Sequence, residues 1–177
     1  IDTTYNKYGE VTVKISKIYK EDEINYINEE TDKIIESKIK KNMSNKEKIT
    51  TIHNYIIDKS KYATDDIRNK NPEGEYNKAS YILKNKYGTC GAYADLMSVF
   101  LYKFKINNIK VSSETHIWNL VKLNKDWYHL DLTWDDPIMK DGSDRLESLF
   151  LLIKYKRLQE LNVGEHKFNE EVFKEAI

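Results

Sequence analysis

Tyr87-Gly88-Thr89-Cys90-Gly91-Ala92-Tyr93-Ala94-Asp95-Leu96 contains the only cysteine of the chain. Gly88 reads as a loop terminator and Thr89 as an N-cap, so a helix is expected to begin at or next to Cys90. Downstream, Tyr93, Leu96, Met97, Phe100, Leu101 and Phe104 recur with the period of a helix that buries one face. Cys90 then falls in the first turn, where free backbone N–H groups and the helix dipole favour an anion. A thiolate is such an anion, and a helix N-terminus is one setting that lowers a thiol pKa. Against this stands the commoner role of a lone cysteine, a small buried apolar side chain.

Composition narrows the field. One domain is the expectation for 177 residues, of which 40% are hydrophobic and 33% charged, enough for a core under a polar surface. Lys plus Arg balance Asp plus Glu at 29 each, so no net field draws the chain to nucleic acid or a membrane surface. Lys103, Lys105 and Lys110 form a small basic group that a solvated face explains. No stretch approaches the roughly 18 apolar residues of a membrane span. One cysteine excludes an internal disulfide and a cysteine-rich metal site. The start at Ile1, without Met or a signal peptide, suggests a fragment or a processed chain. The compartment is not written in the sequence; a secreted or cell-surface setting is expected if the chain is part of a larger protein.

Outward from Cys90 the elements follow in order. Val11, Val13 and Ile15 alternate with polar residues as a strand does. Ile24, Ile27, Ile34, Ile35 and Ile39 mark a solvent-facing amphipathic helix from about Asp22 to Lys41. Ser44 and Glu47 make a capping box, and its helix carries Ile49, Ile52, Tyr55 and Ile56. His53 on that helix reads as a surface or partly buried side chain. Residues 63–76 read as a loop, with a turn at Asn71-Pro72-Glu73-Gly74. A short helix follows through Tyr81, Ile82 and Leu83 to Gly88. Beyond the Cys90 helix, strands are expected at 109–113, 117–123, 127–133 and 149–153. The second and third form a hairpin around Asn124-Lys125-Asp126. The tail, with Leu158, Leu161, Phe168 and Phe173, reads as helical and packed at the edge.

The hairpin brings chemistry together. Its turn sets His116 opposite a position near 134, close enough to Asp131 for contact on one face. A carboxylate beside an imidazole accepts from one ring N–H and leaves the other nitrogen for a thiol. Cys90, His116 and Asp131 then suit the roles of nucleophile, base and orienter. His129 reads as a strand residue with a local hydrogen bond. Trp118, Trp127 and Trp134 read as core or cleft wall, and Asp135 and Asp136 before Pro137 as turn formers at least as much as ligands.

Three blocks resemble the transglutaminase-like superfamily, whose members share a papain-like core. They are Gly88-Thr89-Cys90-Gly91-Ala92-Tyr93-Ala94, His116-Ile117-Trp118-Asn119, and Trp127-Tyr128-His129-Leu130-Asp131-Leu132-Thr133-Trp134-Asp135-Asp136-Pro137. The resemblance covers about Lys48 to Leu152, and its third block is the most specific. It implies an α+β fold in which a helix N-terminus presents Cys90 to an antiparallel sheet. Within a single domain 1–177, it implies an N-terminal strand and helix extension over 1–44, a catalytic core over 45–155 and a tail over 156–177. Carried over by position, Cys90 is the nucleophile, His116 the base and Asp131 the orienter. The link between Cys90 and His116 is short for the family and lacks the glycine-bearing loop often found before the histidine. An oxyanion donor upstream of the cysteine is implied, with Tyr81 and Tyr62 as candidates and Trp118 as a further cleft residue.

The activity so implied is thiol-dependent acyl transfer at a carboxamide or peptide bond through a thioester. Its partners are a protein or peptide bearing a glutamine-type acyl donor and, as acceptor, a lysine amine or water. No cofactor and no metal is called for. The alternative is a non-catalytic binding or scaffold module on the same fold, within a larger cell-surface protein.

Overall fold

The computed structural model describes residues 2–14, 17–136 and 147–177. A two-stranded hairpin, β1 (Asp2–Tyr5) with β2 (Val11–Lys14), precedes two longer helices, α1 (Glu21–Lys38) and α2 (Asn45–Lys59). Ile15, expected to extend the second strand, lies outside the described residues. Helix α1 opens where the Lys20 N–H donates to Glu23 Oε2 at 3.0 Å, and it buries Ile27 and Ile34. Helix α2 opens on the expected capping box: the Ser44 N–H donates to Glu47 Oε2 at 2.7 Å, and the Glu47 N–H to Ser44 Oγ at 3.3 Å. It buries Ile49, Ile52, Ile56 and Ile57.

The segment expected to be loop holds a short helix, α3 (Asp65–Lys70), just after a brief strand, β3 (Lys61–Tyr62). Apolar periodicity could not reveal α3, because it buries no residue. Its support is electrostatic, with Asp65 and Asp66 in the first turn and Arg68 and Lys70 in the last. Helix α4 (Ala79–Asn85) ends on Lys86 in the left-handed region, φ 64°, and β4 (Tyr87–Gly88) then runs parallel to β3. That pairing puts Tyr62 beside Gly88, two residues before the cysteine.

Helix α5 (Cys90–Lys103) starts where the sequence places it. Thr89 is the N-cap residue, but its hydroxyl does not cap. It donates instead to the Tyr76 carbonyl at 3.2 Å and to Asn77 Oδ1. Gly88 is required by close approach: a Cβ there would meet Ala92 Cβ at 2.8 Å. The helix is the centre of the main core, with Tyr93, Leu96, Met97, Phe100 and Leu101 buried against α1, α2, α4 and one face of a sheet.

That sheet is antiparallel, β5 (Asn108–Ser112), β6 (Ile117–Leu123) and β7 (Asp126–Leu130), in the order β5-β6-β7. The β6–β7 turn is Asn124–Lys125, with Asn124 at φ 58°, a conformation asparagine tolerates. Alternation along β6 divides its contacts. Asn119 donates from Nδ2 to the Ala94 carbonyl at 3.0 Å and to Ser98 Oγ at 2.8 Å, which ties the sheet to α5. Trp118 and Leu120 join Val111 and Ala176 in a second, smaller core.

Strand β7 stops at Leu130, short of the expected Thr133. The N–H groups of Thr133 and Trp134 turn back onto Asp131 Oδ1 at 3.0 and 3.4 Å, so the aspartate ends the strand as a turn anchor. Leu149 to Ile153 is not a strand either. Leu152 takes a left-handed φ of 55°, and Ile153 keeps only an isolated bridge to His129. Beyond it lie α6 (Tyr155–Leu161) and two single 3₁₀ turns, Gly164–His166 and Lys174–Ala176.

Candidate active site

Cys90 is half-buried in the first turn of α5. The chain entering the helix is fixed on both sides. The Thr89 N–H donates to the Tyr76 carbonyl at 2.8 Å, and the Gly88 carbonyl accepts from the Ala63 N–H at 2.9 Å. Burial pushes the Cys90 thiol up, and other contacts more than reverse it: a hydrogen bond with the His116 ring, the ring's charge, and backbone N–H groups of Ile117 and Gly91. The net direction is below the ordinary thiol value.

His116 stands at the entry to β6, where Ser113 Oγ accepts its backbone N–H at 3.1 Å. Its Nε2 lies 2.6 Å from Asp131 Oδ2, and both side chains are buried. With Nε2 given to the carboxylate, Nδ1 is the nitrogen left for sulfur. Burial presses the His116 pKa down, but the Asp131 hydrogen bond and the Cys90 contact outweigh it and raise the value to about 10. Asp131 moves the opposite way. Its full burial favours the neutral acid, yet the imidazoles around it hold the carboxyl below the ordinary range. The sequence-predicted trio is thus brought together, His116 hydrogen-bonded to Asp131 and near enough to Cys90 to lower its thiol.

The group has a fourth member that the sequence did not single out. His166, in the first of the C-terminal 3₁₀ turns, places Nε2 at 2.8 Å from the same Asp131 Oδ2. It lay outside every block with a recognisable spacing, in a tail expected at the edge. The only signal was its residue type, a lone histidine between Glu165 and Lys167. His116, Asp131 and His166 also set three ligand-type atoms within 4.8 Å, the donor count of a catalytic zinc site. The two imidazole–carboxylate hydrogen bonds account for that closeness without an ion.

Of the candidate donors, Tyr62 is the one beside the thiol. Burial raises its hydroxyl pKa, as does the field of Cys90, while Arg68 works against both. Tyr81 sits elsewhere. Its hydroxyl accepts from Asn71 Nδ2 at 3.1 Å, its ring meets Tyr76 edge-on, and it lines a charged surface cavity of about 720 Å³ with Lys20, Glu23 and Lys78. Trp118 is a wall and not a free donor. Its ring lies parallel to His116 with centroids 5.7 Å apart, and its Nε1–H donates to His129 Nδ1 at 3.0 Å.

Three further expectations change. His53 is neither exposed nor half-buried: it is fully enclosed, with Nε2 at 3.0 Å from Asp135 Oδ2. Asp135 and Asp136 do form a turn, but as buried anchors. Asp135 also accepts from the Phe150 N–H at 2.9 Å, and Asp136 accepts from the Tyr93 hydroxyl. Pro137 lies outside the described residues. The tail is not peripheral, since it supplies His166 and the Ala176 carbonyl, 2.8 Å from His129 Nε2. Burial pushes the His129 pKa down to about 4, so that ring is a neutral structural link; it lies on a strand as expected, but its hydrogen bonds reach Trp118 and Ala176 and are not local.

The profile of the transglutaminase-like superfamily matches residues 32–132. Among solved structures, a TGase superposes with a TM-score of 0.56 at 15% identity, over 66% of this chain and 34% of its own. A protein from Cytophaga hutchinsonii, described as a candidate cysteine protease, gives 0.45 at 15% identity over 77% of this chain and 46% of its own. The chain therefore spans less than half the length of either. The first likeness shows a shared fold, and the second is too loose to argue from. No curated protein matches the chain. With more than half of its residues under that one family profile, on a fold shared with a TGase, the chain belongs to the transglutaminase-like superfamily.

Proposed function

We propose that the protein is a thiol-dependent acyltransferase or hydrolase acting on a carboxamide or peptide bond of a protein substrate. The observation that carries this reading is the line from Cys90 through His116 to Asp131, at the N-terminus of the central helix. Cys90 is the nucleophile. Its sulfur, paired with the His116 imidazolium, attacks the carbonyl carbon of the substrate. The Cys90 backbone N–H and the Tyr62 hydroxyl are the donors offered to the oxyanion, a contact of this kind being worth roughly 3 kcal/mol. His116 then gives its proton to the departing nitrogen as the C–N bond breaks, leaving a thioester and free ammonia or amine. Water or a lysine amine next attacks the thioester while His116 takes the proton back. Water yields an acid and a lysine amine an amide, and either regenerates the thiol. Asp131 holds His116 in the tautomer and orientation these transfers need.

The test is mass spectrometry of the protein incubated with a glutamine-containing peptide and a primary amine. A mass change for cross-linking, deamidation or cleavage, lost in Cys90→Ala, supports the proposal and names the branch. Absence of all three, with a Cys90 that alkylates no faster at pH 6 than a free thiol, would instead favour a binding module.

A further inference from the structure

Asp131 has two oxygens and four donors. Oδ1 takes the backbone N–H groups of Thr133 and Trp134, at 3.0 and 3.4 Å. Oδ2 takes His116 at 2.6 Å and His166 at 2.8 Å. The carboxylate is therefore saturated, and no rotation of it about Cβ–Cγ keeps all four bonds. The His166 ring is itself fixed. It stacks on Phe150, centroids 4.9 Å apart and planes within 13°, and meets Trp118 edge-on at 4.9 Å. Its other nitrogen, Nδ1, is buried and has no hydrogen-bond partner among the described residues. A proton there would be a buried donor without an acceptor, so the nitrogen that donates is Nε2, toward Asp131.

We propose that His166 is a positioning residue of this site: as the second donor to Asp131 Oδ2, it keeps that carboxylate ionised and aimed at His116. The inference rests on the catalytic reading of Cys90, His116 and Asp131 given above. It follows from what burial does to a carboxylate. Enclosed in apolar surroundings, Asp131 would tend to take up a proton, and a protonated acid no longer supports the His116 imidazolium. Two imidazole donors on one oxygen oppose that, and one donor opposes it less. Among the described residues, the titratable groups that face Asp131 are few. They are His116 from the start of β6, with Cys90 of α5 behind it, His166 from the 3₁₀ turn, and His129 from β7. His129 stays neutral, and Asp135 is engaged with His53. Mere packing is the competing role, and phenylalanine at 166 would fill it, because the ring's neighbours are aromatic.

The experiment is the rate of Cys90 alkylation by iodoacetamide as a function of pH, on the whole chain, for wild type, His166→Phe and His166→Gln. Phenylalanine keeps the stacking and loses the donor, whereas glutamine carries an N–H at the ε position. In His166→Phe the acidic limb of the profile is expected to move up by about one pH unit, which is about tenfold in rate on that limb. His166→Gln should recover most of it. Superimposable curves for wild type and a folded His166→Phe would overturn the proposal. A wild-type thiol no more reactive near pH 6 than a free cysteine would overturn the underlying catalytic reading instead, so the two failures are distinct. Should His166→Phe not fold, ¹⁵N shifts of the wild-type histidines decide: a protonated Nε2 with a bare Nδ1 at His166 is expected, and a bare Nε2 overturns the proposal.

Discussion

Trp118 lies flat against His116, and its indole N–H is spent on His129 Nδ1 at 3.0 Å. His129 in turn reaches the Ala176 carbonyl through Nε2, at 2.8 Å. The back wall of the imidazole is thus pinned to the far end of the chain. Trp118→Phe should keep part of the wall but orphan the buried His129 Nδ1. We expect a loss of about 1–3 kcal/mol in unfolding free energy, read by chemical denaturation, together with slower alkylation of Cys90. An unchanged denaturation midpoint would mean that the indole hydrogen bond contributes nothing net.

Cys90→Ala separates chemistry from fold. The thiol is half-buried at a helix start and its removal opens little space. Acyl transfer should vanish while the unfolding free energy shifts by no more than about 1 kcal/mol. A far larger destabilisation would restore the role of a packed core cysteine.

Asp131→Asn removes the charge and also leaves an amide facing donors on both sides. Whichever way the amide turns, its NH₂ meets either the Thr133 and Trp134 N–H groups or the two imidazoles. The serine-triad analogue loses about 10⁴ in turnover. A thiol site, whose ion pair forms before substrate arrives, should lose roughly 10²–10⁴. Stability should fall as well, by about 1–3 kcal/mol. Retained alkylation kinetics in the variant would remove Asp131 from the mechanism.

The pH dependence of stability has a defined sign. A histidine whose folded pKa is raised contributes fully below its unfolded value of about 6.5, and the contribution is lost as pH rises through the folded value. For His116 that folded value is about 10. Between pH 7 and about 10.5, wild type should therefore lose more unfolding free energy than His116→Gln does. Equal losses would mean that the His116 pKa is not raised in the folded protein. Asp131 acts at the other end. Its carboxyl is held low, so its contribution is present above the ordinary carboxylate range and lost as pH falls below it.

His53→Leu makes a contrasting case. The His53–Asp135 pair is fully enclosed and fastens α2 to the turn after β7, yet none of its bonds reaches Asp131. We expect a stability loss of about 1–3 kcal/mol from the orphaned Asp135, with the pH profile of Cys90 alkylation unchanged. A shifted profile would join this pair to the site.

What the sequence made legible was what repeats or spaces regularly. The α5 period, the Ser44 box and the β6–β7 hairpin each carry a local rule, and together they place Cys90, His116 and Asp131. What it hid follows no local rule. Helix α3 has no apolar face to show, and β7 ends early because Asp131 draws the amides of Thr133 and Trp134 back onto itself. His53 and His166 are defined by partners far along the chain, Asp135 and Asp131. A lone histidine on a helix or in a tail looks the same whether solvent or a carboxylate faces it. The oxyanion candidates split for a similar reason, since the β3–β4 pairing, too short to be read from pattern, sets Tyr62 beside Gly88, two residues before the cysteine.

The tail's hold on the site has a consequence for biosynthesis. A ribosome delivers Cys90 first, then His116, then Asp131, and only afterwards His166 and Ala176. On the catalytic reading, an unfinished chain holds its sulfur without the two clamps that the tail supplies to Asp131 and His129. The reactive thiolate is then acquired only after the segment carrying His166 and Ala176 has been made, at a stage when the segments before it are already available to fold around the sulfur.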